Sequence, residues 1–358
     1  MTGGPVTGGT GTGGTVTGDP AAPVLVIGGS GFIGGAVLDA LVSRGRPVRA
    51  LARSGQAADE LAGRGAEAVT GDLLDPGSLV RAMDGCSVVY HAAGVNAFCL
   101  ADPRPMERVN VEGSANVIEA AAAAGVLRVV YTSSAAALGE APGTVGTETS
   151  QHRGWFLSQY ERSKYLAEVR VLREAAERSI DVVCVSPSSV QGPGRLHGTA
   201  RLLLQYLNGR LKFLTDTRMS FLDVADCTAG HLLAETRGTA GDRYVLNGAT
   251  FTTRELISLV SRTTGIEHRV RWLPGRATLA AAAVVEAGAR TVRRRPPLCR
   301  EMVRTLLNGH TYDGSKAERE LGVRYTPVEE TIRKTLLWYT EHGYLTGRLP
   351  AGNARDSV

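Results

Sequence analysis

The sequence predicts an α/β fold, a doubly wound parallel sheet with a smaller C-terminal α+β lobe. Three observations carry that prediction. From Pro23 to Ser186 short β-branched runs and helical stretches alternate six times, the order of linked strand–helix–strand units. Each run is apolar throughout instead of alternating, as strands covered on both faces require. The first run ends in clustered glycines at the start of the first helix, a tight strand-to-helix turn.

Residues 1–22 are nearly all Gly and Thr and have nothing to bury, so they are expected to form a disordered tail. The strands then follow in order: "PVLVIG" before a helix over 32–44, "PVRALA" before 57–64, and "AEAVTG" before 77–83. "SVVYHA" precedes a helix over 106–124, "RVVYTS" one over 156–178, and "DVVCVS" closes the series. Beyond "SPSSVQGPG" the rhythm loosens. A helix near 199–208, short strands in "LKFL", "DRYVLNG" and "HRVRWL", and helices from Thr253 and near 276–292, 298–308, 315–321 and 328–342 are expected there. The division predicted is a dinucleotide-binding domain over 23–195, a substrate lobe over 196–345 with late sheet strands interleaved, and a flexible tail over 346–358.

With 358 residues, 43% hydrophobic and 21% charged, the chain has an ordinary globular composition and room for one large core plus a lobe. Its formal charge of +5 is spread over arginines, and the one dense basic run, Arg293-Arg294-Arg295, reads as a solvated helix end. No nucleic-acid partner is therefore expected. The five cysteines are odd in number, scattered and free of C-x-x-C spacing, a pattern that reads as idle thiols in a reducing compartment. No stretch approaches the roughly 18 apolar residues of a membrane span, and no signal peptide is visible. A cytoplasmic location is the expectation.

The turn "VLVIGGSGFIGG" reads either as G-x-G-x-x-G over Gly29, Gly31 and Gly34 or as G-x-x-G-x-x-G over Gly28, Gly31 and Gly34. Either way its glycines let a backbone approach a pyrophosphate at a helix N-terminus, the Rossmann-type arrangement, with Phe32 and Ile33 opening the helix. The second strand ends in Ala52 and Arg53, where an acid would favour a bare ribose. A guanidinium suits a 2′-phosphate instead, so NADP (NADPH) is the expected cofactor and NAD the less favoured one. Asp72 and Leu73, after the third strand, are candidates to flank the adenine.

Tyr160 and Lys164 lie four apart in a helical stretch and share a face. A neighbouring ammonium favours the phenolate and pulls a tyrosine toward the working range of an acid or base. Ser134, 26 residues earlier, ends the fifth strand at the carboxyl edge, where a hydroxyl can hold an oxygen that gains charge.

Together with the glycine turn, "HAAG" (91–94), "NVEGSANVIEAA" (110–121), "YTSSA" (131–135), "YERSK" (160–164) and "SPSSVQGP" (186–193) resemble the extended short-chain dehydrogenases/reductases of the NAD-dependent epimerase/dehydratase family. "YLNGR" (206–210) and "YDGSKAERELG" (312–322) look most like the branch with dihydroflavonol-reductase-like and hopanoid-associated sugar-epimerase-like proteins. The resemblance implies catalytic Ser134, Tyr160 and Lys164, with Lys164 also bonding the nicotinamide ribose. It implies cofactor contacts from Ala92, Ala93, Pro187 and Ser189, and Asn110 beneath the site. Three positions depart from the pattern: Leu222 and Asp223 stand where valine and histidine are usual, and Ile27 replaces a threonine.

These readings lead to an NADPH-dependent carbonyl reductase, or alcohol dehydrogenase in reverse, acting on a largely apolar small-molecule ketone or aldehyde. A nucleotide-sugar epimerase or dehydratase with tightly held NAD(P) is the alternative, and a non-catalytic dinucleotide sensor a third. The oligomeric state is not readable from the sequence; the 106–124 and 156–178 helices offer faces for a homodimer.

Overall fold

A computed structural model describes residues 21–346; both predicted tails, apart from their innermost residues, lie outside the described residues. The chain begins β1 (Val24–Ile27), α1 (Phe32–Ser43), β2 (Val48–Ala52), α2 (Gly55–Gly63), β3 (Glu67–Thr70), α3 (Pro76–Met83) and β4 (Val88–His91). It continues through α4 (Arg104–Glu107), a π-helical turn (Arg108–Glu112), α5 (Gly113–Ala123), β5 (Arg128–Thr132), a 3-10 turn (Ala135–Leu138), α6 (Gln159–Arg178) and β6 (Asp181–Pro187). The later part holds β7 (Ser189–Gln191), α7 (Thr199–Leu207), β8 (Phe213–Leu214), β9 (Arg218–Asp223), α8 (Val224–Arg237), β10 (Arg243–Leu246) and β11 (Ala249–Thr252). Then come α9 (Thr253–Thr264), β12 (Arg271–Trp272), α10 (Gly275–Thr291), α11 (Arg300–Asn308), a second π turn (Ala317–Leu321) and α12 (Val328–Glu341).

Seven parallel strands stand in the order β10-β6-β5-β4-β1-β2-β3. The chain reverses direction across the sheet between β1 and β4, and the crevice at their carboxyl ends is where such sheets hold ligands. Val24 to Ile27 are at most 1% exposed, which explains the unbroken apolar runs: one core layer lies under α1 and α8, the other under α3, α5 and α6. A third core, around Tyr206, Leu256, Val260, Ile332 and Tyr339, supports the smaller lobe. β10 returns from that lobe to the sheet edge beside β6.

Local chemistry sets the boundaries. Ser158 accepts a bond from the Glu161 amide and caps α6 at Gln159, so the helix starts later than the apolar pattern implies. Ser54 caps α2 in the same way, while Asp75 with Pro76 starts α3. Thr252 and Glu255 form a capping box on α9. The long helix expected over 106–124 contains the π turn that carries Asn110, a local widening common at functional sites. Short β7 and β11 escape sequence reading because four residues or fewer show no period.

The expectation of five unbonded thiols is overturned. Cys99 and Cys299, 200 residues apart, form a disulfide with Cα atoms 5.8 Å apart, while Cys86, Cys184 and Cys227 are free and buried. Sequence spacing reports only local pairs, and this pair meets solely because the small lobe folds back onto the loop after β4.

Two histidines are sealed in the interior. His91 contacts Ser114 Oγ at 2.9 Å, and His231 contacts Thr132 Oγ1 at 2.8 Å and the Cys227 carbonyl at 2.7 Å. Burial, aided by the Lys164 charge, lowers His91 to about 3, and burial lowers His231 to about 4. The unfolded chain takes up these protons near pH 6.5 and the folded chain does not, so stability is complete above that pH and is lost as pH falls toward 4. Each histidine contributes up to about 1.4 kcal/mol per pH unit in that window. We expect urea titrations to show stability rising with pH between about 5 and 6.5, and His231→Gln to flatten that rise.

Candidate active site

The site is built from the glycine turn outward. A Cβ at Gly28, whose φ is +94°, would stand 2.7 Å from the Ala93 amide nitrogen, and one at Gly34 would stand 2.2 Å from the Gly28 carbonyl oxygen. The Gly31 amide donates to that same carbonyl at 2.9 Å. At Gly29 a Cβ would meet side chains alone, those of Leu38, Leu61 and Val26. Of the two spacings open in the sequence, Gly28, Gly31 and Gly34 is therefore the one that demands glycine for backbone approach, with Ala92 and Ala93 packed against it. Arg64, invisible to sequence reasoning because it lies a whole unit downstream, holds the turn from behind. Its guanidinium donates to the carbonyls of Gly29 (3.1 Å) and Gly35 (2.8 Å) and pairs with Asp39 at 2.7 Å.

Around this turn the other cofactor candidates separate. Phe32 and Ile33 open α1, half-buried. Arg53 is exposed at the end of β2 and makes no ion pair among the described residues. Asp72 is exposed and uses its carboxylate on the Leu74 amide at 2.8 Å, while Leu73 is buried in the core. Pro187 is flanked by the Ser186 and Ser188 hydroxyls, both buried without a bonding partner. The Ser189 hydroxyl is taken by Thr199 at 3.0 Å and Gln191 at 2.9 Å. A cradle without Cβ atoms, a helix N-terminus, two unused buried hydroxyls and a free guanidinium together fit a dinucleotide.

Ser134, Tyr160 and Lys164 converge at the carboxyl edge. Ser134 caps the 3-10 turn, accepting from the Ala136 amide at 3.2 Å, and its hydroxyl is near enough to Tyr160 to favour the phenolate. The Lys164 ammonium is 6% exposed and donates to the Thr132 carbonyl at 2.8 Å and to the Tyr131 hydroxyl at 3.3 Å. Burial lowers it to about 8, against the opposing charge of Glu168 one turn away. For Tyr160, burial raises the phenol above its ordinary value, while the Ser134 hydroxyl and then the Arg195 charge pull it back.

Arg195 is the residue that sequence reasoning missed. Its guanidinium lies 5.1 Å over the Phe32 ring, its Nε donates to the His197 carbonyl at 3.2 Å, and it has no acidic partner among the described residues. Burial lowers its pKa. The only available signal was its place directly after "QGPG".

On the substrate side the Phe98 ring lies 6.0 Å from the Tyr160 ring. Asn110 staples the same loop: it accepts from the Val95 amide at 2.7 Å and donates to the Val95 carbonyl and to Ser163 Oγ, both at 2.9 Å. Tyr206 and Leu207, on α7, belong to the small-lobe core. The departures at Asp223 and Ile27 are structural. Asp223 caps α8 at the Ala225 amide (2.7 Å) and accepts from Thr331 Oγ1 at 2.6 Å, and Ile27 is 1% exposed in the sheet core.

The model of the NAD dependent epimerase/dehydratase family matches residues 24–247. Sterol demethylase protein B of Methylococcus capsulatus is 30% identical over 90% of this chain and 99% of its own length. The 4-hydroxy-2-methyl-3-oxo-4-farnesyl-3,4-dihydroquinoline-1-oxide ketoreductase of Stigmatella aurantiaca is 33% identical over 83% of this chain and 90% of its own. The crystal structure of gox2253 superposes with a TM-score of 0.79 at 31% identity, covering 91% of this chain and all of that one. With the glycine cradle and the serine, tyrosine and lysine at one sheet edge, the chain is an NAD(P)-dependent oxidoreductase of the extended short-chain dehydrogenase/reductase type and belongs to the NAD-dependent epimerase/dehydratase family.

Proposed function

We propose that the protein is an NADPH-dependent reductase of largely apolar ketones or aldehydes. The observation that carries this reading is the setting of Tyr160: a buried phenol beside Ser134 with the Phe98 ring 6.0 Å away. Like any tyrosine it is protonated at neutral pH and so can give a proton to a carbonyl oxygen, although burial makes it the weaker acid. Bound NADPH supplies the hydride. Ser134 holds the substrate oxygen by hydrogen bond as it gains charge, and Tyr160 delivers the proton to that oxygen. Lys164, fixed on the Thr132 carbonyl, presents a charged donor at the floor of the site, and Asn110 keeps the loop start and α6 in register.

Arg53, exposed and unpaired, would clamp a 2′-phosphate and so favour NADPH over NADH. An apolar substrate is supported by the Phe98 wall and by relatives whose names refer to a farnesylated quinoline-oxide ketone and a sterol. A nucleotide sugar would need converging cations for its diphosphate. Arg201 and Arg210 are exposed on and just beyond α7, and Arg295 is bonded to the Phe98 carbonyl.

Tyr160→Phe removes the acidic hydroxyl and keeps the ring, so turnover of an apolar ketone should fall by about 10² or more with NADPH affinity nearly unchanged. A variant that retains half the parental rate would refute the assignment. For the cofactor, titration of Arg53→Ala should show NADPH binding weakened by about 1.5–3 kcal/mol and NADH binding nearly unaffected; equal losses would show that Arg53 does not read the phosphate. Loss of the Arg195 charge should raise the phenol further. The pH at which alcohol oxidation reaches half its maximal rate should thus move upward in Arg195→Gln and return toward the parental value in Arg195→Lys.

A further inference from the structure

We propose that the Cys99–Cys299 disulfide is a redox-operated clamp that holds Phe98 against Tyr160 and thereby sets which carbonyl compounds reach the phenol. The proposal rests on the reductase reading for its substrate and on the following geometry for its mechanism.

The loop from Val95 to Pro103 follows β4 at the carboxyl edge and brings the Phe98 ring to 6.0 Å from the Tyr160 ring. Asn110 fixes its first residue. Its centre is held entirely by groups that come from the small lobe. Arg295 donates to the Phe98 carbonyl through Nε at 3.1 Å and Nη2 at 2.6 Å. Glu301 accepts from the Cys99 amide at 3.0 Å with one oxygen and from the Gln159 amide at 2.6 Å with the other. One carboxylate thus joins the loop to the residue immediately before Tyr160. The disulfide adds a covalent tie at the same point, linking the loop to the residue that starts α11.

The covalent tie differs in kind from the polar ones. Arg295 lies on the surface, where hydrogen bonds compete with water. Cys99 has φ +59°, a left-handed conformation that is rare outside glycine, so the loop needs support to keep that shape. Cys99 and Cys299 are 8% and 3% exposed, and the bridge therefore yields to a strong dithiol rather than to incidental thiols. Reduction breaks the S–S bond and forms two thiols; the two electrons and two protons come from the dithiol, which closes to a cyclic disulfide. Phe98, adjacent to the cut bond, then loses its fixed place on the phenol ring.

The test compares air-oxidised protein, dithiothreitol-reduced protein, Cys99→Ser and Cys299→Ser. Thiol titration in denaturant should give three thiols before reduction and five after, because three cysteines are free and two are bridged. Hydrogen exchange should speed up in residues 95–103 on reduction and stay unchanged in the sheet. With a compact aryl ketone, KM should rise by roughly three- to ten-fold, the size of one aromatic contact, with kcat nearly constant. Five thiols without reductant, unchanged exchange in 95–103, or equal KM in both redox states would each overturn the clamp. Reduction of the parental chain supplies the comparison should a serine variant fail to fold. If no ketone is turned over in either state, the reductase reading fails, and the exchange data alone then decide the clamp: faster exchange confined to the loop supports it, unchanged exchange removes it.

Discussion

At the turn between β1 and α1, hypothetical Cβ atoms on Gly28 and Gly34 would stand 2.7 Å and 2.2 Å from backbone atoms of Ala93 and Gly28. Only a backbone without side chains lets the first strand, the first helix and the exit of β4 share that volume. Much of the site's geometry follows from this close approach. It aims the N-terminus of α1 into the crevice, places Phe32 where Arg195 can lie over its ring, and makes the β4 loop leave toward Tyr160. Arg64 reinforces it from the solvent side by bonding two of the turn's carbonyls.

Burial then sets the chemistry of the charged groups that the turn brings near. Lys164 is held at about 8 and His91 at about 3 because both lie inside the protein. The phenol of Tyr160 is raised for the same reason, and the groups that pull it back are Ser134 and Arg195. Lys164 works through the strand end it bonds, since its ammonium is directed at the Thr132 carbonyl and the Tyr131 hydroxyl. The helical spacing of tyrosine and lysine thus specifies a shared face, and the surrounding packing specifies which cation the phenol feels.

The smaller lobe completes the site. Arg195, Arg295, Cys299 and Glu301 all come from beyond the sixth strand, yet each touches the glycine-turn helix, the β4 loop or the start of α6. Ties of this kind make the Val95–Pro103 loop a meeting point of the sheet and the smaller lobe. Asp223 and Thr331, bonded at 2.6 Å, show the same economy within the lobe: a position that departs from the family pattern serves to join α8 to α12.

What the sequence determined by itself is whatever depends on neighbours a few residues apart. The apolar runs, the glycine spacing and the Tyr160–Lys164 offset act within one strand, one turn or one helix, so the parallel sheet, the glycine turn and the placing of Ser134 just past a strand end were legible in it. The start of α6 needed the Ser158 cap, and β7 and β11 were too short to show a period. Tertiary structure alone decided the groups that meet across long separations: Arg195 beside the phenol, Arg64 behind the turn, Glu301 between Cys99 and Gln159, and the Cys99–Cys299 bridge. The physical reason is that hydrogen bonds, charge and disulfide geometry depend on distance in space, and a separation of 200 residues carries no periodicity from which a 5.8 Å approach between Cα atoms could be read.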